Sequence, residues 1–468
     1  MTDRLHGTPE KVTTLISGAV IVTMDAQHRI FADGSMAIRG DRIVGVGATR
    51  EIGGLFEADE VINGRRFVIT PGFVDCHIHI TGDPLTRGYI PDDIDASFED
   101  KLTRWVIPRF VAQSADDERL SAQLAALQML RSGTTCFLEA GTIRHLDAVV
   151  DGLRGSGIRG RVGAWVEGRA HNPAHDNVTA TEQAIRTLED EVIRFPVHAD
   201  ARIAAWPILV GHTTNTDEVW KAAKRLADTK GLGVSAHMSP FKADPEWYLR
   251  NLGRRPVEHL AHIGVLADNV ALTHVAHLSA SEVELLAQTG TNAILCPLAA
   301  LRGAFGISAA GLFPEMSAAG VNIALGTDGD IPDLMQKMSL AAAIFKDARQ
   351  DARVFPAQEV LTMAISRGAK LMKLQHEIGS LEAGKKADFV LHDTDRPEWR
   401  PLVNTLHQLV WSADGRSVHS VWVDGVRVVD NYRCTLLDEQ EIYRRAQIAA
   451  RDILKRCGVP SRCAWPVV

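Results

Sequence analysis

The chain has 468 residues, 46% of them hydrophobic, which is enough to bury the core of one large domain and a smaller one beside it. Its formal net charge is -7 and it carries no basic cluster, so neither nucleic acid nor an anionic membrane is expected as a partner, and a small-molecule substrate fits better. No stretch is long and apolar enough to span a bilayer, the segment from Met1 to Lys11 lacks the apolar core of a secretory signal, and the expected location is cytoplasmic. Cys76, Cys136, Cys296, Cys434, Cys457 and Cys463 are dispersed without CxxC spacing, which indicates neither a disulfide framework nor a cysteine metal site.

From residue 13 to about 70 the chain reads as short alternating strands broken by turns, as in Thr14-Leu-Ile-Ser-Gly-Ala-Val-Ile-Val-Thr23. From residue 71 short apolar strands alternate with helical stretches, the texture of βα units around a parallel sheet. Eight candidate strands lie near Phe73–His79, Thr134–Glu139, Arg161–Val166, Arg202–Val210, Leu232–His237, Asn269–His274, Asn292–Cys296 and Val321–Thr327. Their span of roughly 250 residues is typical of a (β/α)8 TIM barrel. Strand texture returns after residue 380, and a helix from about Glu439 to Arg456 follows. The expected architecture is therefore an α/β chain in four parts. Residues 1–70 and 381–435 form a small composite β-sandwich from both chain ends, 71–380 the barrel, and 436–468 a C-terminal helix and tail.

The first barrel strand ends in Val74-Asp-Cys-His77-Ile-His79. Side chains at i and i+2 share one face of a strand, so His77 and His79 can bind one cation together while Val74 and Ile78 pack. Four later strands also run into polar residues: strand 4 into His212, strand 5 into His237, strand 6 into His274 and strand 8 into Asp328. Chemistry in a TIM barrel collects at the C-terminal ends of its strands, so these residues should converge on one face. His198, His259, His262 and His277 read as structural or exposed, and His171 and His175 as part of a loop after strand 3.

The runs PGFVDCHIHI, SGTTCF, VSAH, LTHVAHL and ALGTDG, in this order, resemble the amidohydrolase superfamily in its aminohydrolase and chlorohydrolase branch. Arg367-Gly-Ala-Lys-Leu371 and Ile378-Gly-Ser-Leu-Glu-Ala-Gly-Lys-Lys-Ala-Asp-Phe-Val390 extend the likeness to nearly the whole chain. The resemblance implies a metal-dependent hydrolase with one divalent transition metal on His77, His79, His237 and Asp328. Zinc is the default for such a donor set, with cobalt or iron acceptable. The strand 4 run Ala205-Trp-Pro-Ile-Leu-Val210 has no lysine for the carbamylated bridge of binuclear relatives. By the same resemblance His274 orients or deprotonates the attacking water, Asp328 carries its proton to the leaving nitrogen, and His212 contacts the group under attack. Members of this branch are commonly homo-oligomers, and that is the expectation here.

Deaminases and chlorohydrolases of the branch usually carry a glutamate three residues after the strand 5 histidine, where it protonates a ring nitrogen. Here that position is Pro240. An ordinary carbonyl could still be polarised by the metal, so the expected reaction is hydrolysis of a neutral urea, carbamate or thiocarbamate. This combination is similar to the phenylurea and molinate hydrolases. Trp165, Trp206, Leu298, Leu301 and Phe305 are the expected lining of an apolar pocket. Deamination or dechlorination of an aromatic N-heterocycle is the alternative, with Glu139, Glu167 or Asp244 supplying the missing acid, and a non-catalytic metal- or ligand-binding protein is a further one.

Overall fold

The computed structural model describes residues 9–89, 101–170, 176–198, 201–459 and 465. His171, His175, Cys463 and most of the C-terminal tail lie outside the described residues.

Five strands open the chain: β1 (Glu10–Val22), β2 (Ile30–Arg39), β3 (Arg42–Ala48), β4 (Phe56–Asn63) and β5 (Phe67–Pro71). Ile16 and Ile21 of β1 join one apolar cluster and Val12 and Leu15 another, and register shifts between Ser17 and Ile21 interrupt the strand's regular alternation. The long β1 serves β4 with its first part and β5 with its second on the same edge.

The barrel follows as β6 (Phe73–Ile78), β7 (Thr134–Glu139), β8 (Arg159–Val162), β9 (Ile203–Ala205), β10 (Ile208–Gly211), β11 (Val234–Met238), β12 (Val270–His274), β13 (Asn292–Leu295) and β14 (Ile323–Leu325). All pairings are parallel, in two arcs, β6 to β9 and β10 to β14. The single fourth strand expected over 202–210 is broken in two because Pro207 has no N–H to give the ladder. The gap is bridged by Trp206 N–H donating to Val162 O (3.0 Å) and Ser235 N–H donating to Pro207 O (3.2 Å). At the end of β6 and just past β14 the ring closes, with Asp328 N–H donating to His77 O at 2.8 Å and a parallel bridge between Ile78 and Asp328.

The chain then returns to the first sheet with β15 (Phe389–Asp393), β16 (Val418–Val423), β17 (Val426–Asp430) and β18 (Arg433–Cys434). β15 pairs antiparallel with β5, which ties both chain ends into one nine-stranded, hydrogen-bonded sheet. β5 runs into β6, the strand that carries His77, through Gly72 alone, and a Cβ there would lie 2.0 Å from Thr135 Oγ1, so the join tolerates no side chain. Arg159 of β8 staples barrel to sheet, donating at 3.1 Å to Asp388 and 2.6 Å to Asp424 in a buried cluster. The last helix, Glu439–Cys457, lays Ile442 and Ile453 on Leu120, Leu124 and Leu127 of the helix Ala115–Arg131. Among the described residues no helix is long and apolar enough to cross a membrane.

Candidate metal centre and active site

His77, His79, His212, His237, His274 and Asp328 meet at the C-terminal end of the barrel strands. The rings of His77 and His237 are 4.6 Å apart, those of His79 and His237 5.6 Å, His237 and His274 5.5 Å, and His212 and His237 5.3 Å. His212, His274 and Asp328 take left-handed backbone angles (φ 49°, 77° and 60°). Such conformations are uncommon for residues with a Cβ and concentrate at functional sites.

Each histidine of the expected ligand set is held from outside by one ring nitrogen. His77 Nδ1 is 3.1 Å from Thr273 Oγ1, His79 Nδ1 3.2 Å from Thr142 Oγ1, and His237 Nδ1 2.8 Å from the Val210 carbonyl. Thr142 in turn donates to Glu139 at 2.9 Å. Partners of this kind fix a ligand's tautomer and leave Nε2 to face a cation. His77 Nε2 is buried without a hydrogen-bond partner, and His79 Nε2 lies 3.0 Å from Asp328 Oδ1. Ligand atoms of His77, His79 and Asp328 lie within 4.8 Å of one another, as do those of His77, His237 and His274. Three imidazoles with one inward nitrogen each, beside a carboxylate, suit a divalent metal with an open position.

Burial drives His77 and His237 well below the ordinary imidazole range and His274 down to about 4, so all three are neutral near pH 7. Burial also opposes charge on His79, but its hydrogen bond to Asp328 and that carboxylate's charge outweigh it and raise the ring to about 9. For Asp328 burial works upward, and the hydrogen bond and charge of His79 hold it well below the carboxylate range. A cation held here would take the place of the proton on His79.

Around this centre Phe110 packs at 6.2 Å from His79 and meets Trp165 edge-on at 6.1 Å. On the other side Phe305 stands edge-on to His274 at 5.3 Å and contacts Phe241 at 4.6 Å. Phe305 of the expected pocket thus packs on His274, and Trp165 is linked to the site through Phe110. Trp206 is not: it is a core residue whose ring lies 2.4 Å from the Cβ position of Gly233, just before β11 begins and away from His237 at its far end. Leu298 is half-buried on the helix Pro297–Arg302 and Leu301 is 42% exposed there.

Of the three candidate acids, Glu139 accepts from Gly141 N–H, Thr142 N–H and Thr142 Oγ1, and is committed to supporting the loop behind His79. Glu167 is half-buried. Asp244 places Oδ2 3.1 Å from His212 Nδ1. His277 Nε2 sits 2.8 Å from Phe305 O and His259 Nε2 2.7 Å from Asp217, both in structural pairings.

Sequence reasoning missed Asp75, Thr142, Thr273, Phe110, Phe241 and Cys296. Asp75 accepts from Thr327 Oγ1 (2.5 Å) and from Thr327 and His77 backbone N–H (3.0 and 3.3 Å), fixing β6 to β14. Its parity with His77 and His79 was a usable signal. Cys296 offers Sγ within 4.8 Å of His274 and Asp328 ligand atoms. A cavity of about 620 Å³ lined by Arg154, Phe195, Arg202 and Lys386 includes none of these histidines.

The family model described as "Amidohydrolase family" matches residues 68–428. A 5-methylthioadenosine/S-adenosylhomocysteine deaminase of Desulforudis audaxviator is 32% identical over 90% of this chain and 95% of its own. A 5'-deoxyadenosine deaminase of Methanosarcina mazei is 30% identical over 94% of this chain and 98% of its own. Among solved structures, an adenosine deaminase from Xanthomonas campestris with bound zinc superposes with a TM-score of 0.85 at 25% identity, covering 96% of this chain and all of that one.

Proposed function

The chain belongs to the amidohydrolase family and is a metal-dependent hydrolase acting on carbon–nitrogen bonds; from that premise we propose that it is an aminohydrolase that removes the exocyclic amino group of a planar N-heterocycle as ammonia. The observation that carries this reading is the full-length likeness to deaminases of adenosine-type compounds. That likeness moves the phenylurea and thiocarbamate expectation to second place and leaves a non-catalytic binding protein without support.

A single divalent cation, zinc by default, held by His77, His79, His237 and Asp328, would supply a water of lowered pKa and polarise the atom under attack. His274, neutral and with Nε2 3.7 Å from Asp328 Oδ2, accepts the proton of the attacking water at Nε2. Asp328 relays it to the departing amine. Phe110 and Trp165 on one side, Phe241 and Phe305 on the other, offer faces and edges to a flat ring and exclude bulk water. His212 contacts the substrate.

Carbonyl hydrolysis of a urea, carbamate or thiocarbamate remains the second reading because of Pro240, which leaves strand 5 without its carboxylate. A product screen of zinc-loaded enzyme separates the two. The panel is adenosine, 5'-deoxyadenosine, 5-methylthioadenosine, an aminotriazine, an N,N-dimethyl phenylurea and a dialkyl thiocarbamate. Ammonia from a heterocycle, lost in His274→Ala, supports deamination. Aniline, dialkylamine or thiol with no ammonia from any heterocycle overturns it.

A further inference from the structure

We infer that Asp244 is the positioning residue of this active site, holding the His212 imidazole in one tautomer and one plane, and that the segment after Pro240 is built around that task. The inference rests on the aminohydrolase reading for the role of His212 but not for the geometry.

Three residues of the segment that follows Pro240 converge on His212. Asp244 Oδ2 is 3.1 Å from His212 Nδ1, and the carboxylate is buried. Tyr248 donates its hydroxyl to the His212 carbonyl at 3.0 Å. Phe241 lies nearly parallel to the imidazole, at 13° and 6.4 Å. The ring is also nearly parallel to His237, at 17° and 5.3 Å, and His212 N–H donates to the His237 carbonyl at 2.9 Å. Holding His212 at φ 49° carries a conformational cost that these contacts offset. A strand that has lost its own acid therefore still contributes to the polar side of the site, through the histidine of the neighbouring strand.

The carboxylate can only accept, so Nδ1 carries a proton, and in the neutral ring Nε2 is left as the acceptor that faces substrate. An acceptor there favours substrates offering an N–H at that point, as an amino-substituted ring does and an N,N-dialkylated carbonyl compound does not. Without Asp244 the ring can carry its proton on Nε2 instead, and the same position presents the wrong partner.

The test is a double-mutant cycle of Asp244→Asn and His212→Asn, asparagine being chosen at 212 because it tolerates positive φ. It is read with 5'-deoxyadenosine as probe, alongside zinc content by mass spectrometry and the histidine ¹⁵N shifts of the zinc enzyme, in which His212→Asn assigns the signal. Asp244→Asn is expected to lower kcat/KM by roughly 10- to 100-fold with zinc content unchanged, to move the His212 signals away from the Nδ1–H pattern, and to add nothing in the His212→Asn background. Asp244→Glu should recover part of the loss. An unchanged tautomer in Asp244→Asn, or equal losses in both backgrounds, overturns the inference. If 5'-deoxyadenosine and the rest of the heterocycle panel give no ammonia, the aminohydrolase reading fails, and the ¹⁵N signature alone still decides whether Asp244 sets the tautomer.

Discussion

Thr273→Val is the sharpest test of the proposed ligation. Thr273 is fully buried, and its hydroxyl lies 3.1 Å from His77 Nδ1. Valine keeps the shape and removes the acceptor. With a cation on Nε2 the proton of His77 must stay on Nδ1, where it would point at a methyl group in a site closed to water. A buried donor left unsatisfied costs about 1–3 kcal/mol. Without the cation, His77 can move its proton to Nε2 and avoid most of that cost, so the penalty falls on the metal-bound form. At about 1.4 kcal/mol per factor of ten, zinc should bind roughly 5- to 150-fold more weakly. Competition against a fluorescent chelator at pH 7.5 reads this directly, with apo-protein Tm confirming that the fold is intact. Thr273→Ser, which keeps the oxygen, should lose much less. A folded valine variant that binds zinc as tightly as the parent refutes His77 as a ligand held by Thr273.

Gly326→Ala would place a Cβ 2.7 Å from His77 Cβ and 2.9 Å from Cys296 Sγ. We expect a loss of about 1–3 kcal/mol in urea unfolding together with weaker zinc binding, whereas a neutral substitution would show that β6 and β14 can separate freely. Arg159→Leu removes the cation that Asp388 and Asp424 share and leaves the buried Asp388 without it, while Asp424 keeps Arg202 at 2.7 Å. The expected destabilisation is about 3–5 kcal/mol by urea titration, and a change under 1 kcal/mol would contradict the staple. His392 is buried and its ring is driven down to about 3 by burial. An imidazole depressed in the folded state stabilises above its unfolded value near 6.5, and that contribution is lost as pH falls from 6.5 toward 3. His392→Gln should therefore flatten the decline of Tm over that window, and an unchanged acid limb would assign the decline to other groups.

The histidines were legible because strand pattern and strand ends expose them. A polar residue at period two in an apolar run, or at the last position of a strand, has no packing explanation. Trp206 was misplaced by the same logic. Read as part of one strand ending at His212 it belongs near the site, but Pro207 interrupts the ladder and leaves the indole in the core. Phe110 and Phe241 could not be found from sequence. Each sits on a connection between strands, and what brings them to His79 and His212 is the path of those connections rather than any periodicity. Asp244 was named only as one of three acids, since nothing in its local sequence says that it faces strand 4. Pro240 favoured the carbonyl reading, whereas the full-length likeness to deaminases favours the alternative, because one position in a strand says little about what neighbouring strands supply.

The continuity of β5 and β6 through Gly72 has a temporal side. β5 completes its pairing only when β15, more than three hundred residues later, lies against it, and β6 completes its own only when the ring closes at Asp328. On a ribosome the two metal-facing histidines emerge early, on a strand whose partners are still unsynthesised. The expected ligand set is therefore complete only once the ring has closed at Asp328, well after His77 and His79 have emerged.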